Sequence, residues 1–212
     1  PSSIGNNLID FGITSSNTNR QSAIAVGSGM YWWGAQIEAG SYATSYIPTS
    51  GTTVTRNRDE SLTSGLSSVV NSVEGVIFLE MSALANDSTN RYISINNGTS
   101  SKRILIKFGT SSNNIAALGL GTASSFSLSY SGAAITNMNK IALKYKANDC
   151  ALWVNGVEVA TDTTFTAYAA STLTTIAFSN FSGGGQWLEA KVQNLMVFPS
   201  ALTDIELAAL TT

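Results

Sequence analysis

The chain has 212 residues, of which 43% are hydrophobic and only 11% charged, with a formal net charge of −2, one cysteine and no histidine. That length carries a sizeable core without disulfide staples. The charge balance gives no basic field for nucleic acid, and the missing imidazole removes the usual general base for Ser or Cys nucleophiles and the commonest zinc ligand.

The remaining polar residues are mostly Ser, Thr, Asn and Gly. Such a neutral surface suits outer-facing, protease-exposed proteins and equally a plain Ser/Thr-rich β domain. The opening residues, Pro1-Ser2-Ser3-Ile4-Gly5, lack a basic segment followed by an apolar run, and the apolar stretch 75–85 is interrupted by Glu80. Neither a signal peptide nor membrane insertion is expected.

Short runs rich in Val, Ile, Thr, Tyr and Phe alternate with Gly, Asn and Ser clusters, the pattern of an all-β sandwich or jelly roll. Strands are predicted at 30–38, 76–83, 91–96, 104–108, 115–120, 126–130, 140–146, 151–154, 157–161, 174–179 and 186–198. The stretch 39–57, with Gly40, Pro48 and Gly51 and few large aliphatics, reads as a connection. Residues 1–47 are therefore expected to be the closing strands of an incomplete upstream β-sandwich plus linker, and 48–212 a second sandwich. A few strands bury no core alone, so the first segment is expected to pack on the second domain, another chain or a missing part.

Within 140–146, Ile141, Leu143 and Tyr145 share one face and Lys140, Lys144 and Lys146 the other, which predicts a strand with one wet face. Cys150 falls in an apolar strand pattern and reads as a small buried hydrophobe. Asn155-Gly156, between alternating apolar residues, supplies the positive φ angles of a type I′ hairpin turn. Thr203-Asp204-Ile205-Glu206 fits a capping box opening one short C-terminal helix. The runs Gly29 to Ile37 and Gly185 to Leu195 echo one another weakly, each passing from glycine through tryptophan to Gln and an aliphatic, as closing strands of two sandwiches do.

The segment Trp33-Gly34-Ala35-Gln36-Ile37-Glu38-Ala39-Gly40-Ser41-Tyr42-Ala43-Thr44-Ser45-Tyr46-Ile47-Pro48-Thr49-Ser50-Gly51, continuing to Val54-Thr55-Arg56, resembles a junction in phage tail-fibre and other virion proteins. There it ends a carbohydrate-binding-module-like jelly roll and leads to the next domain. The segments 74–80, 140–145, 152–159 and 194–207 resemble a laminin G-like or concanavalin A-like sandwich. The resemblance implies a concanavalin A-like β-sandwich with a virion-surface or extracellular setting, in a tail fibre or capsid decoration. It further implies other virion subunits as partners, in a homo-oligomer such as a trimer. It implies a ligand less firmly, since the same sandwich serves as glycosidase, lectin, calcium-dependent adhesin and spacer.

Glycosidases of this fold carry their acids as Glu-x-Asp-x-x-Glu along one strand, and no such run occurs here. Asp59 and Glu60 are adjacent and face opposite ways on a strand, and Asp204 and Glu206 fall in the terminal helix. Glu74 and Glu80 stand roughly 20 Å apart along a strand. No catalytic residue is expected, and a cross-strand acid pair is the remaining route to glycoside hydrolysis. Calcium, which the lectin resemblance allows, needs several oxygen ligands; without an Asp-x-Asp or EF-hand pattern, no metal or other cofactor is expected.

Sugars are bound by stacking on exposed rings and by hydrogen bonds to polar side chains. Trp153 alternates out of phase with Leu152 and Val154 and points away from the core if those two face it. Trp187 follows Gly183-Gly184-Gly185, a loop able to present a ring. Together with Tyr168, Arg91 and Asn97 these are the candidate carbohydrate-binding residues; Tyr130, Tyr92 and Asn90 are weighed beside them. The plain alternative for the aromatics is core or interdomain packing, and for Asn96-Asn97-Gly98 a turn. Trp32 and Trp33 are adjacent, so on a strand one leaves the core, and with Tyr42 and Tyr46 they are assigned to a subunit or domain interface. The expected function is a non-catalytic virion surface module binding host or environmental carbohydrate, the alternatives being a structural spacer and a glycoside hydrolase.

Overall fold

The computed structural model describes residues 33–38, 41–55 and 61–212. The chain divides into two compact units, Pro1–Glu38 with Ser45–Val54 and Ala39–Thr44 with Thr55–Thr212.

In the first unit, the described residues 33–38 form no strand, which corrects the predicted strand at 30–38; residues 30–32, Trp32 among them, lie outside the described residues. The reason is local. The Gln36 side chain takes a hydrogen bond from the Ile47 backbone N–H at 2.7 Å and donates to the Ser45 carbonyl at 3.4 Å, so a side chain closes this segment where a backbone ladder was expected. The Trp33 and Tyr46 rings meet edge to face, with centroids 5.7 Å apart.

The second unit holds two antiparallel sheets. The first has six strands in the order β1 (Leu62–Thr63), β10 (Thr175–Ala177), β3 (Arg91–Asn96), β4 (Arg103–Phe108), β5 (Ile115–Leu120) and β6 (Phe126–Tyr130). The second has five, in the order β11 (Ala190–Phe198), β2 (Gly75–Ala83), β7 (Asn139–Tyr145), β8 (Cys150–Val154) and β9 (Val157–Asp162). A single helix, α1 (Asp204–Thr211), follows β11. The predicted strands from 76 to 161 recur within about one residue, because β-branched and aromatic runs bounded by Gly, Asn and Ser clusters mark them, and in β3, β4, β6 and β7 a period-two alternation also fixes the face. The strand expected at 186–198 begins only at Ala190, so the echo with the tryptophan run near residue 33 is not an echo of strands. β1, two residues long, has no period to read.

The core lies between the sheets. Ile93, Ile95, Ile104, Ile106, Phe108 and Ile115 come from the first sheet, and Ile77, Leu79, Met81, Ile141, Leu143 and Leu152 from the second. Cys150 is buried there too, as its setting suggested. The opposite face of the second sheet is not wet, contrary to the expectation for 140–146. Val76, Phe78, Ala142, Ala151 and Trp153 form a second apolar cluster there with Leu207 of α1. The lysine on that face, Lys144, is buried and spans Asp149 at 2.7 Å and Asp204, the first residue of α1, at 3.2 Å. A period-two reading places these residues outside the sandwich, but it holds no information about a helix arriving sixty residues later.

Two local expectations are realised. Asn155 and Gly156 adopt φ of 50° and 83° between β8 and β9, as a type I′ turn requires. At α1, the Glu206 N–H donates to the Thr203 hydroxyl at 3.4 Å while the Thr203 N–H donates to the Glu206 carboxylate at 2.8 Å, closing the capping box.

Candidate functional site

The antiparallel registers Met81↔Asn139, Ile141↔Val154, Arg91↔Phe108 and Ile115↔Tyr130 bring the β2–β3, β4–β5, β6–β7 and β8–β9 connections to one end of the sandwich. This rim is rich in asparagine, and the carboxamides knit the loops together. The Asn86 amide donates to Ser112 Oγ at 2.9 Å, and the Asn114 amide to Ser129 Oγ at 2.8 Å. The Ile135 N–H reaches Asn113 Oδ1 at 3.3 Å.

Asn139, at the start of β7 and 2% exposed, donates to the carbonyls of Ala134 at 3.0 Å and Asn137 at 2.8 Å. Its Oδ1 takes a hydrogen bond from Asn155 Nδ2 at 2.9 Å, and Asn155 Oδ1 takes one from the Lys140 N–H at 2.9 Å. The far side of the hairpin turn is held by α1, whose Thr211 hydroxyl accepts from the Gly156 N–H at 3.1 Å. Two loops are thereby fixed against one another by neutral groups.

Between them lies an open groove of about 330 Å³, lined by Tyr130, Asn137, Met138, Asn139, Asn155 and Val157 with Gly132, Ala133, Ala134 and Val154. The Tyr130 hydroxyl and the Asn137 carboxamide make no hydrogen bond among the described residues, so both are available to a ligand. Tyr130 is positioned by Gly132, since a Cβ there would stand 2.2 Å from its hydroxyl oxygen. Met138 is 40% exposed and Val157 59%, giving the groove an apolar part. None of the lining residues is charged. Lys140, the neighbouring cation, turns its ammonium to the Thr212 carbonyl.

The sequence candidates lie largely elsewhere. Trp153 does point away from the sandwich core, but its ring is only 8% exposed because it packs in the cluster that includes α1; this corrects its expected role as an exposed platform. Tyr168 is a core residue whose hydroxyl donates between the carbonyls of Arg103, at 2.7 Å, and Leu120, at 2.8 Å. Burial pushes that phenol well above its usual range. Arg91 is buried and spent on Asp87, with nitrogen and oxygen 2.9 Å apart, and also donates to the Thr89 carbonyl at 3.2 Å. The Arg91 guanidinium, with Ser41 assisting, holds the Asp87 carboxyl far below the usual carboxylate range. Tyr92 is buried beneath the Lys107 ammonium, which lies 5.4 Å from its ring centre and donates to Asn90 Oδ1 at 3.2 Å.

Asn97 serves its own turn, accepting from the Thr99 N–H at 3.2 Å. Trp187 is half-buried and pairs with Ser179 through an isolated bridge, which leaves it partly accessible. Of the interface candidates, Tyr42 donates its hydroxyl to Glu189 at 2.9 Å; burial first, and then this carboxylate, raise its pKa. Tyr130, weighed from the sequence, does line the groove. Asn137, Met138, Asn139 and Val157 were missed, and Asn155 was read only as a turn former.

Three of the carboxylates considered for catalysis, Asp204, Glu206 and Glu74, have structural partners. Asp204 shares Lys144 with Asp149, Glu206 caps α1, and Glu74 faces Lys146 at 3.6 Å. Asp59 and Glu60 lie outside the described residues. Among the described residues no three of His, Cys, Asp and Glu gather as a metal site would require, and no helix is long and apolar enough to cross a membrane.

No family model and no curated protein matches the chain. Solved structures do. The CBM40 module of the Ruminococcus gnavus IT-sialidase, bound to α2,3-sialyllactose, superposes with a TM-score of 0.58 at 18% identity over 70% of this chain and 91% of that one. The leech intramolecular trans-sialidase gives 0.54 at 20% identity over 66% of this chain and 23% of its own. The Limulus polyphemus SAP-like pentraxin gives 0.52 at 12% identity over 68% and 73%. At such identities the likeness is one of fold. With its two antiparallel sheets and single short C-terminal helix, the second unit is a lectin-like jelly roll of the concanavalin A type.

Proposed function

We propose that the chain is a non-catalytic carbohydrate-binding module that holds a saccharide in the rim groove. The observation that carries this reading is the pairing of two unspent neutral groups, the Tyr130 hydroxyl and the Asn137 carboxamide, with exposed Met138 and Val157 on a fixed wall. Sugars present that mixture of hydroxyls and apolar C–H faces. The sialyllactose held by the Ruminococcus gnavus module is a property of that protein, and it supports the ligand class. Screening the protein on a glycan array and titrating the hits tests the reading. Asn137→Ala and Tyr130→Phe are each expected to weaken binding about five- to tenfold, one hydrogen bond's worth. An array without hits, or hits indifferent to both substitutions, overturns it. Reducing-sugar release from any bound polysaccharide would overturn the non-catalytic part, and loss of binding on chelation the absence of calcium.

The setting we propose is the virion surface, in a tail fibre or capsid decoration, on the resemblance of residues 33–51 alone. Mass spectrometry of purified particles tests it. A second reading, an assembly unit among virion subunits or a homo-oligomer, is favoured by Trp33, whose ring is 85% exposed beside exposed Ile37 and Tyr46. Light scattering that finds a monomer removes the homo-oligomer.

A further inference from the structure

The rim groove is built for a narrower class of ligand than carbohydrate in general. We infer that its occupant is an uncharged saccharide bearing a methyl group, either a 6-deoxyhexose or an N-acetylhexosamine; this rests on the carbohydrate reading above.

The first argument is charge. No lining residue is ionised, and the ionic groups nearby are committed or of the wrong sign. Lys140 faces the Thr212 carbonyl, Arg91 at the same rim is closed off by Asp87, and Glu158, which follows Val157, brings a negative charge. A sialate, uronate or sulfate entering the groove would shed water without meeting a cation, a cost that neutral carboxamides do not offset.

The second argument is the division of the lining. Tyr130, Asn137 and Asn155 bring to the lining a hydroxyl, a carboxamide and one amide hydrogen beyond the bond to Asn139, groups able to serve ring hydroxyls. Met138, on the β6–β7 connection, and Val157, opening β9, contribute apolar side chains with no donor and at most a weak thioether acceptor. A hydroxyl placed on that apolar part is left unpaired, whereas a methyl group buries surface that both side chains now expose to water. The unbranched thioether of Met138 adapts its shape to either kind of methyl.

Calorimetric titration of the full chain with matched sugars tests the inference. L-fucose is compared with L-galactose, L-rhamnose with L-mannose, N-acetylglucosamine with glucose, and 3′-sialyllactose with lactose. The methyl-bearing member of at least one of the first three pairs is expected to bind about fourfold more tightly or better, from the burial of one methyl group. Which pair shows the preference separates the deoxy from the N-acetyl source. Sialyllactose is expected to bind no more tightly than lactose. Met138→Ser and Val157→Ser, both at exposed positions, are expected to bring the ratio toward one with the melting temperature unchanged. Tighter binding of sialyllactose, or a methyl preference absent or untouched by the serine substitutions, overturns the inference and leaves saccharide binding standing. Binding of no sugar on any arm removes the carbohydrate reading itself, and this inference with it.

Discussion

Asn155 donates from its side-chain nitrogen to Asn139 Oδ1 at 2.9 Å, so the turn between β8 and β9 is tied to the first residue of β7. Asn139 is the buried hub of this tie, and Asn139→Ala leaves the Asn137 carbonyl without its side-chain donor, the Ala134 carbonyl with only the Asn137 N–H, and Asn155 without its acceptor. We expect a loss of about 2 kcal/mol in urea denaturation. Saccharide affinity is expected to fall as well, since both groove loops lose their brace. An unchanged midpoint would show that the network does not hold the rim.

Gly132→Ala separates positioning from stability. The added methyl meets the mobile end of Tyr130, so the ring turns aside at little cost to the fold. We expect an unaltered melting curve and a several-fold weaker saccharide titration. Equal affinity would mean that the placement of the Tyr130 hydroxyl is irrelevant to binding.

Buried weak acids set an alkaline limit on stability. Burial pushes the Cys150 thiol up from 9.0 to about 11, and lifts the phenols of Tyr145 and Tyr168 well above their ordinary value. In each case the unfolded chain gives up its proton at lower pH than the folded one, so stability is complete below the ordinary thiol value and declines as pH climbs through the folded one. Denaturation midpoints are expected to hold up to about pH 8 and to drop steadily from 9 to 11. Combining Cys150→Ala with Tyr168→Phe is expected to shallow that slope; the same slope in the double variant would contradict the assignment.

The Arg91–Asp87 pair is a structural one. Asp87→Ala strands a buried guanidinium whose Nε already lacks a partner among the described residues, and the expected loss is about 3 kcal/mol. Because the folded Asp87 carboxyl is held low, its contribution is present above the ordinary carboxylate pKa and lost only as pH falls through the folded value. Acid titration of stability is expected to show this loss in the wild type and not in Asp87→Ala.

Trp153→Ala is expected to remove about 3 to 5 kcal/mol by emptying the space under α1. Trp153→Phe, which keeps a ring and removes an indole N–H that is buried without a partner among the described residues, is expected to lose less. Wild-type-like binding in a still-folded Trp153→Phe would agree with a purely structural indole. A specific loss of affinity would reinstate Trp153 as a ligand contact.

The strands were legible as short β-branched and aromatic runs between turn clusters, several of them alternating, and the hairpin and helix start because Asn155-Gly156 and Thr203 to Glu206 carry their own backbone instructions. What was hidden was the company these elements keep. Trp153 and Lys144 sit on the face that alternation assigned to them, yet α1 covers it; Tyr168, a sugar-binding candidate from the sequence, is a core residue whose hydroxyl is spent on the Arg103 and Leu120 carbonyls. The groove was the least legible, because an asparagine before a strand and another in a turn are ordinary local signals. Only the register Ile141↔Val154 brings Asn139 and Asn155 within reach of one another.

Every group that faces the groove sits at a strand end or in a connecting turn, while the paired ladders and the packed aliphatics lie deeper in the sandwich. Ligand choice and scaffold integrity are therefore encoded by nearly separate sets of codons. A lineage carrying this module can exchange Asn137, Met138 or Val157 and try new partners one mutation at a time, without first having to rescue its own folding.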